Sequence, residues 1–100
     1  MKIQLSKKDL ALIKHILALH LPKNAKVWLF GSRVSDKIKP FSDVDLLLDV
    51  GSQLSSNILI NLAEEFDESD LAYKVDLVDK HSIEKSFSEL ISKEAILVMG

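Results

Sequence analysis

Apolar side chains recur at two different periods along this chain, and each change of period marks an element. Leu10, Ile13, Leu17 and Leu21 fall on one face of a helix that starts after Ser6 and runs to about His20. Ser6 stands where an N-cap belongs, with Asp9 at the capping-box position, Leu5 and Leu10 spaced as a hydrophobic staple, and Pro22 as the stop. Leu12, Ile16 and Leu19 widen the apolar surface beyond one stripe. That excess predicts a helix buried on two sides or meeting a partner, core packing being the simpler reading. The run Val27-Trp28-Leu29-Phe30 predicts a first strand over 26–30, with Trp28 in the core, and Val44 to Val50 a second, closed by Gly51-Ser52. Between them, 34–38 reads as a short helix and Pro40-Phe41 as a loop. Leu54, Ile58, Leu62 and Phe66 repeat every fourth residue, a second helix capped by Ser55 and ended by the acidic turn 67–70. A third strand covers 73–78, a helix capped near Ser82 turns Ile83, Phe87, Leu90 and Ile91 inward, and 95–98 adds a short fourth strand. The alternation predicts an α/β architecture, a small mixed sheet of three to four strands packed with helices.

Composition narrows the possibilities. One hundred residues, 47% of them hydrophobic, suit one small core and leave little room for a separate substrate-binding domain. The chain contains no cysteine, which removes disulfides, thiolate metal sites and a cysteine nucleophile, and fits a cytoplasmic location. The N-terminus does not read as a secretory signal, and no apolar run approaches a membrane span. A net charge of −2 with interspersed signs gives no basic face for a long nucleic acid.

The candidate chemistry lies where the first two strands meet their connection. Gly31-Ser32-Arg33 directly follows the first strand, and Ser42-Asp43-Val44-Asp45-Leu46 opens the second. Gly31 would let backbone N–H groups approach a phosphate, and Ser32 would add a hydroxyl at a helix start. Side chains alternate along a strand, so Asp43 and Asp45 point the same way and repel each other unless a cation lies between them. A hard divalent ion such as Mg²⁺, held by one or two carboxylates together with substrate phosphates, meets that requirement. Asp76 sits inside the third strand and would join the pair if that strand neighbours the second, whereas Asp49 and Asp79, at strand ends, read as solvated. His15, His20 and His81 share no metal-ligand spacing and read as surface or helix-end residues. Tyr73 could stack on a base, strand-edge packing being the simpler reading, and Lys74 shares a strand face with Asp76 and could neutralise it or reach a phosphate.

These residues resemble the DNA polymerase beta-like nucleotidyltransferase superfamily, in which a strand and Gly-Ser turn precede an Asp-x-Asp strand and a third Asp. Gly31-Ser32, Asp43-x-Asp45 and Asp76 match in order over most of the chain, and residues 1–100 look like a single minimal nucleotidyltransferase domain. The group commonly carries a Gly three residues after the Arg and a small residue two further on, where this chain has Asp36 and Ile38. The resemblance implies that Asp43, Asp45 and Asp76 are the catalytic residues and hold two Mg²⁺ ions, with Asp76 also the general base. It implies that Gly31, Ser32, Arg33 and Ser42 bind the nucleotide, Arg33 neutralising developing charge. The implied activity is transfer of AMP from ATP to a hydroxyl of a HEPN-domain toxin encoded by the adjacent gene. The chain would then be the antitoxin, in a hetero-oligomer with that toxin. The competing expectation is a non-catalytic module that neutralises its partner by complex formation alone, which the broad apolar face of the first helix would suit.

Overall fold

The structure, a computed structural model, describes residues 3–34 and 43–100. Helix α1 spans Lys7–His20, strand β1 Lys26–Phe30, a 3-10 turn Gly31–Val34, β2 Val44–Asp49, α2 Ser56–Glu68, β3 Val75–Asp79, α3 Lys85–Ser92 and β4 Ile96–Met99. The strands form one sheet in the order β3-β2-β1-β4. β1 is antiparallel to both β2 and β4, while β2 and β3 run parallel. A parallel pair cannot be closed by a tight turn, and α2 supplies the crossover. The mixed α/β sheet is thus found with four strands, and 34–38, expected as a helix, lies outside the described residues apart from Val34.

The caps of the first two helices follow the sequence. The Ser6 hydroxyl accepts from the Asp9 N–H at 3.0 Å, and the Ser55 hydroxyl from the Ile58 N–H at 3.3 Å. One face of the sheet, with Val27, Leu29, Val44, Leu46, Leu48 and Val98, packs into a single core with Ile13, Ile16 and Leu17 of α1 and Leu62 and Phe66 of α2. Burial of each such side chain contributes about 1.5–3 kcal/mol. Ile16 therefore belongs to the core and Leu12 packs beside it, so core packing accounts for most of the breadth of α1. Leu19, 61% exposed, is the one large hydrophobic residue of that helix left facing solvent. The opposite sheet face carries the alternate positions, Trp28 and Phe30 of β1 and Asp45, Leu47 and Asp49 of β2. Trp28 is half-buried there rather than in the main cluster, with the Lys80 ammonium 5.3 Å from its ring centre.

Two expectations fail at the end of β3, for one reason. Asp79 is buried, not solvated, and its carboxylate accepts from the Leu54 N–H at 2.8 Å, the His81 N–H at 3.1 Å and the Ser82 hydroxyl at 2.8 Å. Ser82 is thereby committed to Asp79 and caps no helix; α3 starts later, after Glu84, without a side-chain cap. Along α3, Ser88 and Ile91 are buried while Phe87 and Leu90 face out. Asp49, in turn, binds the Gly51 N–H at 2.8 Å and the His81 ring at 2.7 Å. Burial opposes its ionisation, but these hydrogen bonds with the charges of His81 and Lys80 hold its carboxyl below the usual range. Asp79→Ala, which strips hydrogen-bond acceptors from a buried junction, is expected to lower unfolding stability by about 2–3 kcal/mol. Urea denaturation followed by circular dichroism measures it.

Candidate active site

Three constraints bring the carboxylates together. Parallel pairing places Asp45 of β2 directly beside Asp76 of β3, and antiparallel pairing places Phe30, the residue before Gly31, on the other side of Asp45. The register is continued by the Val44 N–H, which donates to the Lys74 carbonyl at 2.8 Å. Paired residues present their side chains to the same face, so Asp45 and Asp76 share the face turned away from α1 and α2. Asp43 precedes β2 by one residue and is exposed at the rim of the same cluster.

The electrostatics confirm the crowding. The Asp45 carboxyl is pushed up from 3.8 to about 6, first by burial, then by the charges of Asp76 and Asp43 and by a hydrogen bond with Asp76. Lys74 offsets part of this, its ammonium 3.7 Å from Asp76, but its side chain is 71% exposed. An ion pair that exposed contributes little and leaves the lysine able to swing toward a phosphate. Among the described residues no group of three histidine or acidic side chains by itself makes a metal cage. The donor set nevertheless fits a hard cation: clustered carboxylate oxygens in mutual repulsion, which Mg²⁺ would complete with water and substrate phosphate.

Gly31 is the hinge of the site. Its φ of +79° lies in the left-handed region, and a β-carbon there would press into the carboxylate of Asp45, whose Cγ would be 3.3 Å away. The glycine therefore serves both the turn and the close approach of the backbone to the acid. Ser32 follows, half-exposed, in the 3-10 turn. Ser42 lies outside the described residues, as do Asp36 and Ile38.

Arg33 takes a place that sequence reasoning missed. It is only 4% exposed, its guanidinium stands 3.9 Å from the Tyr73 ring centre, and its Nη1 donates to the Gln4 carbonyl at 3.1 Å. Tyr73 accordingly packs rather than presenting its ring to solvent. The one available signal was that this is the chain's single arginine and its single tyrosine, two side chains suited to stacking. The histidines lie at the surface or at element ends as expected, His15 exposed along α1 and His20 at its end, bonding Glu65 of α2 at 2.8 Å. Beside Asp76 a groove of about 280 Å³ opens between α2 and β3, lined by Leu59, Ile60, Ala63, Val75 and Leu77.

Known proteins share this fold. Residues 11–100 match the family described as Polymerase beta, Nucleotidyltransferase. The chain is 36% identical over 97 residues to the probable protein adenylyltransferase MntA of Haemophilus influenzae, covering 97% of this chain and 84% of that protein. It is 33% identical over 73 residues to the protein adenylyltransferase MntA of Thermococcus cleftensis, 73% of each chain. A toxin–antitoxin crystal structure with AMP-PNP superposes with a TM-score of 0.78 at 24% identity, over 91% of this chain and 73% of that one. The structure of a tri-AMPylated Shewanella oneidensis HEPN toxin in complex with MNT antitoxin gives 0.73 at 22% identity, over 94% of this chain and 71% of the other. Among the described residues no helix is long and apolar enough to cross a membrane.

Because the folded state holds the Asp45 proton more tightly than the unfolded chain does, this carboxyl's contribution to stability falls as pH rises from about 4 toward 7. Asp45→Asn removes the repulsion. Without divalent ions it is expected to be more stable than the parent at pH 7.5, by on the order of 1 kcal/mol after solvent screening of a half-exposed group. The advantage should vanish near pH 4, as thermal melts at the two pH values will show. Gly31→Ala should lower the melting temperature at both, since its strain is steric.

Proposed function

Since this chain belongs to the Polymerase beta-type nucleotidyltransferase family, we propose that it is a protein adenylyltransferase and the antitoxin of a HEPN-domain toxin. The observation that carries the reading is the pairing of Asp45 with Asp76, beside the Gly31 turn. Relatives named protein adenylyltransferase support the reaction class. The solved MNT antitoxin with its tri-AMPylated HEPN toxin, whose fold this chain shares, supports the partner and the transferred group.

The residues divide the work by position. The backbone at Gly31 and the Ser32 hydroxyl grip the triphosphate of ATP, with Ser42 assigned to the same end by the sequence motif. Asp43, Asp45 and Asp76 would hold Mg²⁺, two ions in this reading. Bound there, magnesium would screen the phosphate charge and lower the pKa of the acceptor hydroxyl. Asp76 lies on the edge strand, on the open side of the cluster, where a protein-borne hydroxyl can approach. Its carboxylate takes the hydroxyl proton as that oxygen bonds to the α-phosphorus and pyrophosphate leaves. Lys74, tethered only weakly, can follow the charge onto the departing phosphates.

The test uses the chain with the HEPN-domain protein encoded beside it, ATP and Mg²⁺, read by intact-mass spectrometry. The expected result is addition of one or more adenylyl groups to the partner and at least a hundredfold loss of rate in Asp45→Asn and in Asp76→Asn. Full transfer by either variant would remove the proposed roles of the acids. Co-purification of the two proteins without any transfer would select the non-catalytic module instead.

A further inference from the structure

Arg33 follows the phosphate turn directly, yet its guanidinium is turned into the protein. Among the described residues its contacts run to two parts of the chain, the N-terminal segment and the start of β3. The Arg33 carbonyl accepts from the Gln4 N–H at 2.7 Å, and its Nη1 donates to the Gln4 carbonyl at 3.1 Å, so the N-terminal segment is clasped from both sides. The guanidinium face lies on the Tyr73 ring at 3.9 Å. Tyr73 immediately precedes Lys74, whose carbonyl accepts from the Val44 N–H at 2.8 Å, next to Asp45. One side chain thereby links the Gly31–Ser32 turn to the start of the strand that carries Asp76.

Burying a guanidinium costs several kcal/mol of solvation unless it is well partnered, and an apolar residue could pack an ordinary junction more cheaply. A planar cation that stacks and donates in fixed directions does something an apolar residue cannot, since it fixes distance and orientation together. The elements joined here are those whose separation decides whether a triphosphate held at the turn meets the acids in line.

From this geometry we infer that Arg33 and Tyr73 form a positioning clamp that sets the phosphate turn against the Asp76 strand. Arg33 is then a positioning residue and not a ligand of the triphosphate. The inference rests on the nucleotidyl-transfer reading above. A clamp and a phosphate ligand leave different kinetic traces. Loss of a phosphate ligand weakens nucleotide binding in both ground and transition states and raises KM for ATP. Loss of a clamp leaves the grip intact but misaligns it, which lowers kcat, a displacement near 1 Å costing about a hundredfold.

The experiment measures steady-state AMP transfer to the partner by Arg33→Ala, Arg33→Lys, Tyr73→Leu, Tyr73→Phe and the Arg33→Ala/Tyr73→Leu double variant. All are assayed below their melting temperatures as found by circular dichroism. The clamp predicts a fall in kcat of about 10- to 100-fold for Arg33→Ala and for Tyr73→Leu, with KM for ATP within about threefold of the parent. The double variant should be no worse than either single one, because the two residues act as a unit. Tyr73→Phe, which keeps the ring face, should restore the parent rate, and Arg33→Lys, which keeps charge but not the planar stack, should not. Parent kcat in Tyr73→Leu, or a raised KM confined to the Arg33 variants, overturns the clamp. So does a set of variants that melt earlier but turn over normally. A parent chain that transfers no nucleotide overturns instead the reading on which the clamp rests.

Discussion

Everything at this site depends on two carboxylates held closer than they would choose to be. Backbone hydrogen bonding between β2 and β3 fixes Asp45 beside Asp76, and side chains that would separate in water are denied that freedom. The apolar positions between and around them, Val44, Leu46 and Leu48, are buried in the same strand, so the core and the acids are two faces of one element. Hydrophobic burial on one face supplies the free energy that holds charge repulsion on the other. That is why the site needs no acid-rich loop of its own, and why its parts sit on rigid strands, where small displacements are resisted.

The glycine turn reads differently in this light. Its backbone is close enough to Asp45 to leave no room for a side chain, so the turn proposed to hold phosphate and the acidic part of the site share a wall. Arg33 extends that connection outward to Tyr73 and to the N-terminal segment. The turn, the Asp-x-Asp strand and the third-acid strand are therefore mechanically joined, although Gly31 and Asp76 are far apart along the chain.

What the sequence disclosed follows from the range of the interactions involved. The caps at Ser6 and Ser55 and the strand 26–30 depend on neighbours a few residues away, and all lie where the pattern put them. The Asp-x-Asp pair and the Gly-Ser turn could be named for the same reason. The register that sets Asp76 beside Asp45 could only be posed as a condition, since alternation within a strand does not say which strand lies next to it. α3 was misread because Ser82 has two possible partners, the helix it might have capped and the buried carboxylate of Asp79. Successive helix residues are turned by about 100°, so a face centred on Ser88 and Ile91 leaves Phe87 and Leu90 outside it. Beyond its pairing in number with the single tyrosine, Arg33 was opaque, because no local signal distinguishes a guanidinium aimed at a ligand from one aimed at a ring forty residues on.

The parallel pairing of β2 with β3 has a consequence for the life of the molecule in time. Such a pairing cannot form until the whole crossover through α2 has been made and folded back, so it belongs to the slow, long-range part of assembly. Gly31, Asp43 and Asp45 leave the ribosome well before Asp76 does. A chain caught halfway, whether nascent or locally opened at its β3 edge, carries the Gly31 turn and the Asp-x-Asp pair of the proposed site but not its third acid in place. In the proposed reading, chemical competence thus certifies completed folding, because the three acids come together only in the finished sheet.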